Sequence, residues 1–118
     1  MKIQIRLDGA VIATATLDKH DSARQFAALL PLDLVLKDYA ATEKIADLPT
    51  ALSTKGAPDG YQPSAGDISY YAPWGNLAIF HKDFDFSRGL VRLGRLDSGL
   101  EAMRRPGPIL VTVDRAAP

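Results

Sequence analysis

The opening fifteen or so residues constrain this chain most. Ile3, Ile5 and Leu7 alternate with Lys2, Gln4 and Arg6, and Asp8-Gly9 comes next. Then Val11, Ala13, Ala15 and Leu17 fall on one side, with Thr14 and Thr16 on the other. Alternation with period two marks strands with one apolar face. Asp-Gly between two such runs marks a two-residue hairpin, because both positions tolerate positive φ. The chain must therefore begin as an antiparallel hairpin, and the remaining residues must cover that apolar face.

Most of those residues also read as strand. Leu32, Leu34 and Leu36 alternate with Asp33, Val35 and Lys37, giving a strand that runs to about Tyr39. Gly66-Asp67-Ile68-Ser69-Tyr70-Tyr71 leads into another, Ala72-Pro73-Trp74-Gly75-Asn76 turns, and Leu77 to His81 pairs back. Leu90 to Leu96 is a further strand, interrupted at Gly94 by a bulge. Ile109, Val111 and Val113 form the last. Two short helices punctuate them. Ser22-Ala23-Arg24-Gln25 and Ser98-Gly99-Leu100-Glu101 both fit a capping box. The first helix presents Ala23, Phe26, Ala27 and Leu30 and ends at Pro31; the second points Leu100 and Met103 inward and ends at Pro106-Gly107-Pro108. Ala40 to Leu52 is ambiguous: Thr42 can cap one helical turn, and Pro49 limits it. Ser53 to Gly66 is a long surface loop, of the kind that often carries function.

Many short strands with two helices favour a mainly β fold, a closed antiparallel barrel stoppered by helices, because closure removes exposed strand edges. A length of 118 residues suits one domain, residues 1–118. The 14 basic and 14 acidic residues cancel, which gives no electrostatic reason for nucleic-acid binding or for an anionic membrane. Without cysteine, thiol catalysis, disulfides and cysteine-ligated zinc are excluded. No apolar run approaches the roughly 20 residues that span a bilayer. The amino terminus lacks a signal-peptide core, so a cytoplasmic protein is expected.

Candidate chemistry is sparse. His20 and His81 are the only histidines, and a structural or surface role is expected for both. Asp83 and Asp85 share one face if extended; the expected reading is a solvated edge with Phe84 and Phe86 docked inward rather than a metal or general-base pair. Trp74 is the sole tryptophan, an aromatic anchor at a groove rim or a cover for one barrel end. Tyr70 and Tyr71 point to opposite faces, one into the core and one toward contact. Gly56, Gly60 and Gly66 make no phosphate loop. No catalytic residue, metal site or cofactor can be nominated from these patterns.

The order of segments carries a resemblance. The hairpin ending Leu17-Asp18 precedes a helix containing Gln25-Phe26-Ala27-Ala28-Leu29, then Gly60-Tyr61 and Gly66-Asp67-Ile68. Gly75-Asn76-Leu77-Ala78-Ile79-Phe80, Val91 to Leu96, Gly99 to Met103 and Ile109 to Asp114 complete the series. In this order the chain resembles the cyclophilin family of peptidyl-prolyl isomerases. Its Pro-Trp-Gly-Asn and Tyr-Tyr segments are most similar to short, mostly prokaryotic cyclophilin-like proteins without assigned function.

The resemblance implies a groove whose apolar lining survives better than its polar machinery. The family's catalytic arginine corresponds to the stretch Thr54-Lys55-Gly56-Ala57-Pro58, and no arginine lies between Arg24 and Arg88. Lysine lacks the planar, five-donor guanidinium. The groove glutamine falls near Ser64, its phenylalanines at Tyr61 and Ile79, its tryptophan-leucine pair near Asp85-Phe86, and its histidine near Leu90. Tyr61, Ile79 and Phe86 are thus the expected groove floor, with Trp74 at the rim. Prolyl isomerisation faces a barrier near ~20 kcal/mol, and each ~1.4 kcal/mol removed is worth tenfold. Losing directed guanidinium hydrogen bonds removes much of that leverage. The expectation is a module binding a peptide or small molecule, without efficient isomerase chemistry. A divergent isomerase and a homo-oligomeric interaction protein are the alternatives, with a monomer or homodimer equally open. Arg88, Arg92 or Arg95 folding back over the groove would restore a guanidinium.

Overall fold

The computed structural model describes residues 1–117. Eight strands close into an antiparallel barrel: β1 (Lys2–Leu7), β2 (Ala10–Leu17), β3 (Leu32–Tyr39), β4 (Glu43–Asp47), β6 (Asp67–Tyr71), β7 (Asn76–Phe80), β9 (Leu90–Ser98) and β10 (Ile109–Arg115). The order around the barrel is β1-β10-β3-β4-β7-β6-β9-β2. Two-residue strands β5 (Gly60–Tyr61) and β8 (Ser87–Arg88) pair as a separate ribbon. Helices α1 (Asp21–Ala28) and α2 (Leu100–Arg104) complete the fold.

The opening hairpin forms as its sequence dictates. Asp8 and Gly9 take φ of 50° and 81°, the pair of positive values a primed turn needs. Alternation then sends Ile3, Ile5, Ala13, Ala15, Leu17, Leu34, Leu36, Val111 and Val113 inward, where they join Ile68, Tyr70, Leu77, Ile79 and Leu93 in one core. Phe26 from α1 and Met103 from α2 are fully buried in that core. α1 comes after the end of β2, whereas Gly99, just before α2, lies against Ile12 and Ala13 near its beginning. The two helices therefore stopper opposite ends.

Several local expectations change. The N-cap of α1 is His20, not Ser22: its Nδ1 accepts from Ala23 N at 3.2 Å, and its Nε2 meets Arg92 O at 2.8 Å. Ser22 Oγ instead donates to Ser53 O, and Gln25 Oε1 accepts from Ser53 N, so the supposed capping pair ties down the loop after β4. α2 starts from Gly99 at φ 92° with no side-chain cap, because Ser98 Oγ bonds Thr14 across the sheet. The ambiguous stretch holds strand β4, not a helical turn. Its hairpin with β3 turns through Ala40 and Ala41, both left-handed at φ 54° and 57°. The irregularity beside Gly94 is a bulge at Leu93, where Ile68 and Ser69 face Gly94 and Arg92. Gly94 itself serves close approach: a Cβ there would overlap Thr16 O.

β4 also carries the most unexpected core residue. Lys44 points inward and is fully buried. Its Nζ donates to Asp38 Oδ1 (2.5 Å), Arg105 O (2.6 Å) and Gly107 O (2.7 Å). An ammonium has three donors, and all three are used. Asp38 also accepts from Gly107 N at 2.6 Å. Those bonds hold its carboxyl below the usual carboxylate range, with Lys44 the larger cause.

Candidate functional site

The outer face of β4, β7, β6 and β9 carries a second apolar cluster. Ala78, Phe80 and Leu90 are buried there, with Ile45, Tyr61 and Tyr71 packed against them. Strand pairing explains the grouping. Glu43 lies opposite both Tyr39 and Phe80, Ile45 opposite Ala78, and Asn76 opposite Tyr71, which in turn faces Leu90. Residues opposite one another on a common face are contact neighbours. This patch stays off the solvent because the β5–β8 ribbon lies over it. Gly60 permits that pairing, since a Cβ there would overlap Ser87 O.

Two clefts flank the ribbon and share Leu90. The first, about 400 Å³, is walled by Tyr39, Tyr71, Trp74, Phe80 and Phe84, with Glu43, Ile45, Asn76 and Arg88 also facing it. Trp74 meets Tyr39 and Tyr71 edge-on, each at 5.3 Å between ring centres. Phe80 and Phe84 stack at 6.5 Å. Two polar groups in this cleft are underused. Glu43 is buried, and its one side-chain hydrogen bond among the described residues comes from Thr42 Oγ1 at 3.3 Å. Burial pushes its carboxyl above the usual range, with the Thr42 bond opposing. Asn76 is 2% exposed; its Nδ2 donates to Leu77 O, but Oδ1 has no partner among the described residues. An unmet buried acceptor costs about 1–3 kcal/mol.

The second cleft, about 570 Å³, is charged and lies between the start of α1, β9 and the Lys55–Pro58 loop. Most of its charge is already paired: Arg24 with Asp21, and Arg92 Nε with Asp18 Oδ2 at 3.1 Å. Tyr61 lines this cleft, but its hydroxyl turns inward to Asp67 Oδ2 (3.1 Å) and Ser69 Oγ (2.5 Å). Burial, reinforced by the Asp67 charge, pushes that phenol well above its usual range.

The four residues expected to form one groove are thus dispersed. Tyr61 lines the charged cleft and Trp74, 56% exposed, the aromatic one. Ile79 is wholly inside the barrel. Its neighbour Phe80 takes the outward place, since a shift of one residue in a strand exchanges the faces. Phe86 is 59% exposed and lines neither cleft. The expectation that Phe84 and Phe86 dock inward also fails, as both are exposed. Asp83 accepts from Ala65 N, and no cluster able to hold a metal ion occurs among the described residues. Of the three arginines, Arg95 is bound to Asp67 and Arg92 to Asp18; Arg88 alone faces the aromatic cleft, exposed and without an ion pair among the described residues. Tyr70 and Tyr71 do face opposite ways, Tyr70 into the core, where its hydroxyl accepts from Leu52 N.

Glu43, Asn76 and Phe80 were not singled out from the sequence. Glu-Lys-Ile-Ala-Asp has no apolar alternation, because β4 sends a lysine inward and a glutamate into the outer cleft. Pairing with Phe80 is the signal that places Glu43, and it needs the register.

A barrel of this topology, with helical stoppers and an outer-face cleft beside a covering ribbon, defines a class. The chain belongs to the cyclophilin-like family, whose model matches residues 5–114. Among solved structures it is similar to a hypothetical protein from Archaeoglobus fulgidus, determined in solution. The TM-score is 0.72 at 20% identity, covering 98% of this chain and 95% of that one, a likeness of fold. No curated protein matches the chain. No helix among the described residues is long and apolar enough to cross a membrane.

Proposed function

We propose that this protein is a binding module that takes a small molecule or a short peptide segment into the aromatic cleft, without efficient isomerase chemistry. The carrying observation is the pairing of aromatic walls with a buried Asn76 Oδ1 that has no partner among the described residues. Concave, mostly apolar sites with a few polar groups are the usual form of small-ligand pockets, and about 400 Å³ falls within their range. The cleft floor between Glu43 and Asn76 is Ile45 and Ala78, which offer no directed hydrogen bond to a twisting amide. Arg88 is exposed and held by no partner among the described residues, so it lacks the preorganisation that transition-state stabilisation demands.

Two measurements test this reading. In an NMR titration with proline-containing peptides and a small-molecule library, resonances of Trp74, Tyr71 and Phe80 shift while core Ile79 does not. In a coupled assay on a cis-proline peptide, the rate equals that of buffer. No shift at any cleft residue across both panels would remove the binding reading, and a rate that falls on Arg88→Ala would replace it with a divergent isomerase.

A further inference from the structure

The aromatic cleft has a chemical preference, and this inference rests on the binding reading just given. Its two buried polar groups both ask for donors. Glu43 offers a carboxylate with one hydroxyl donor, although a carboxylate accommodates about four hydrogen bonds. Asn76 offers an acceptor with none among the described residues. These groups lie toward opposite ends of the cleft, since Phe80, the β7 partner of Glu43, and Asn76 stand at the two ends of that strand. Neither cation near the carboxylate strand answers it: Lys44 faces the barrel interior, with its donors used, and Arg88 makes no ion pair with Glu43. Around Glu43 stand aromatic rings. Tyr39 and Phe80 flank it directly by strand pairing, and Trp74 and Phe84 complete the wall. Aromatic faces attract cations through the ring quadrupole, more strongly when water is excluded.

We infer that the cleft recognises a ligand carrying a protonated amine on an apolar or aromatic body, the ammonium seated at Glu43 among Tyr39, Phe80 and Phe84. An anionic ligand is disfavoured, because it would bring its charge against a buried carboxylate while Arg88 holds its own in solvent.

Three probes with one phenethyl body test it: phenethylamine, phenethyl alcohol and 3-phenylpropionate, titrated into the full chain by calorimetry and NMR. The amine binds at least about tenfold tighter than the alcohol, a difference of about 1.4 kcal/mol, and the propionate binds weakest. Glu43→Gln keeps the side chain's shape and removes the amine's advantage, bringing the amine and the alcohol to similar affinities. The wild-type series stands alone if that variant does not fold. An amine no tighter than the alcohol overturns the inference but leaves the cleft a binding site. A propionate that binds tightest overturns it in favour of an Arg88 anion site. If none of the probes shifts Trp74 or Phe80, the inference falls, and the cleft-binding reading is weakened with it.

Discussion

Replacing Lys44 by methionine is the sharpest test of how this barrel is held shut. Methionine keeps the apolar stem and removes the ammonium. Three acceptors lose their donor, but they do not lose equally. The Asp38 side chain is 42% exposed, so its carboxylate can be solvated from outside. The carbonyls of Arg105 and Gly107 face a side chain with no exposure at all. Each carbonyl left unpaired costs about 1–3 kcal/mol, so the variant loses about 2–6 kcal/mol. That range spans the ~3–5 kcal/mol typical of breaking a buried ion pair. For a domain of this length one kcal/mol moves Tm by about 4 °C, so the midpoint falls by about 8–24 °C. Thermal unfolding followed by circular dichroism measures this, with urea unfolding as a second route. Hydrogen exchange should show the loss concentrated at the Arg105 and Gly107 amides, since Pro106 and Pro108 carry no N–H. Asp38→Asn, which keeps a hydrogen-bond acceptor at the surface, should cost less than Lys44→Met. A methionine variant within about 2 °C of the wild type, or above it, would refute the reasoning. It would show that desolvating the ammonium had cancelled its three bonds.

The same geometry sets other outcomes. Changing Ala40-Ala41 to Asn-Gly, residues that favour the left-handed region, should raise stability by about 1–2 kcal/mol in chemical denaturation. Gly94→Ala places a Cβ over Thr16 O and 2.9 Å from Leu17 Cα, both backbone atoms, and should cost about 1–3 kcal/mol in the same assay. Trp74→Ala removes two edge-on aromatic contacts and should abolish phenethyl alcohol shifts at Tyr71 while leaving the core resonances of Ile79 in place. His81 is held below its ordinary pKa by burial first, then by Lys82 and Lys44, with Asp38 opposing and Arg104 adding a little. The unfolded chain therefore binds the proton more readily. Stability is full above about pH 6.5 and falls as pH drops toward the folded value, by at most about 1.4 kcal/mol per pH unit. Glu43, raised by burial, acts in the opposite sense: its contribution is present at low pH and is lost as pH rises through its folded value. His81→Gln should flatten the fall below pH 6.5 in a pH series of urea midpoints.

The barrel was legible where a strand has one dry face and one wet one. β1, β2, β3 and β10 announce themselves because Ile3 and Ile5, Ala13 to Leu17, Leu34 and Leu36, and Val111 and Val113 all alternate into the core. The central strands are harder for a physical reason. β7 is buried on both faces, Leu77 and Ile79 inside, Ala78 and Phe80 outside, so its sequence carries no alternation to set the register. That is why Ile79 stands in the expectation where Phe80 stands in the structure. β4 hides for another reason, since its inward lysine is satisfied by carbonyls more than sixty positions away, and its turn uses alanines where asparagine and glycine are usual. His20 as a cap is likewise invisible locally, because its ring is fixed by Arg92 on β9. The site was half visible. Trp74 could be named as a rim from its chemistry, but Glu43 and Asn76 matter only through which neighbours fail to bond them.

The small ribbon of Gly60-Tyr61 and Ser87-Arg88 has a consequence for both hollows it divides. Leu90 borders each of them, and the ribbon is their common partition. Four residues joined by one short ladder make a thin wall, unsupported by a third strand. A guest on either flank therefore rests against the same two-strand wall, with Leu90 beneath it on both sides.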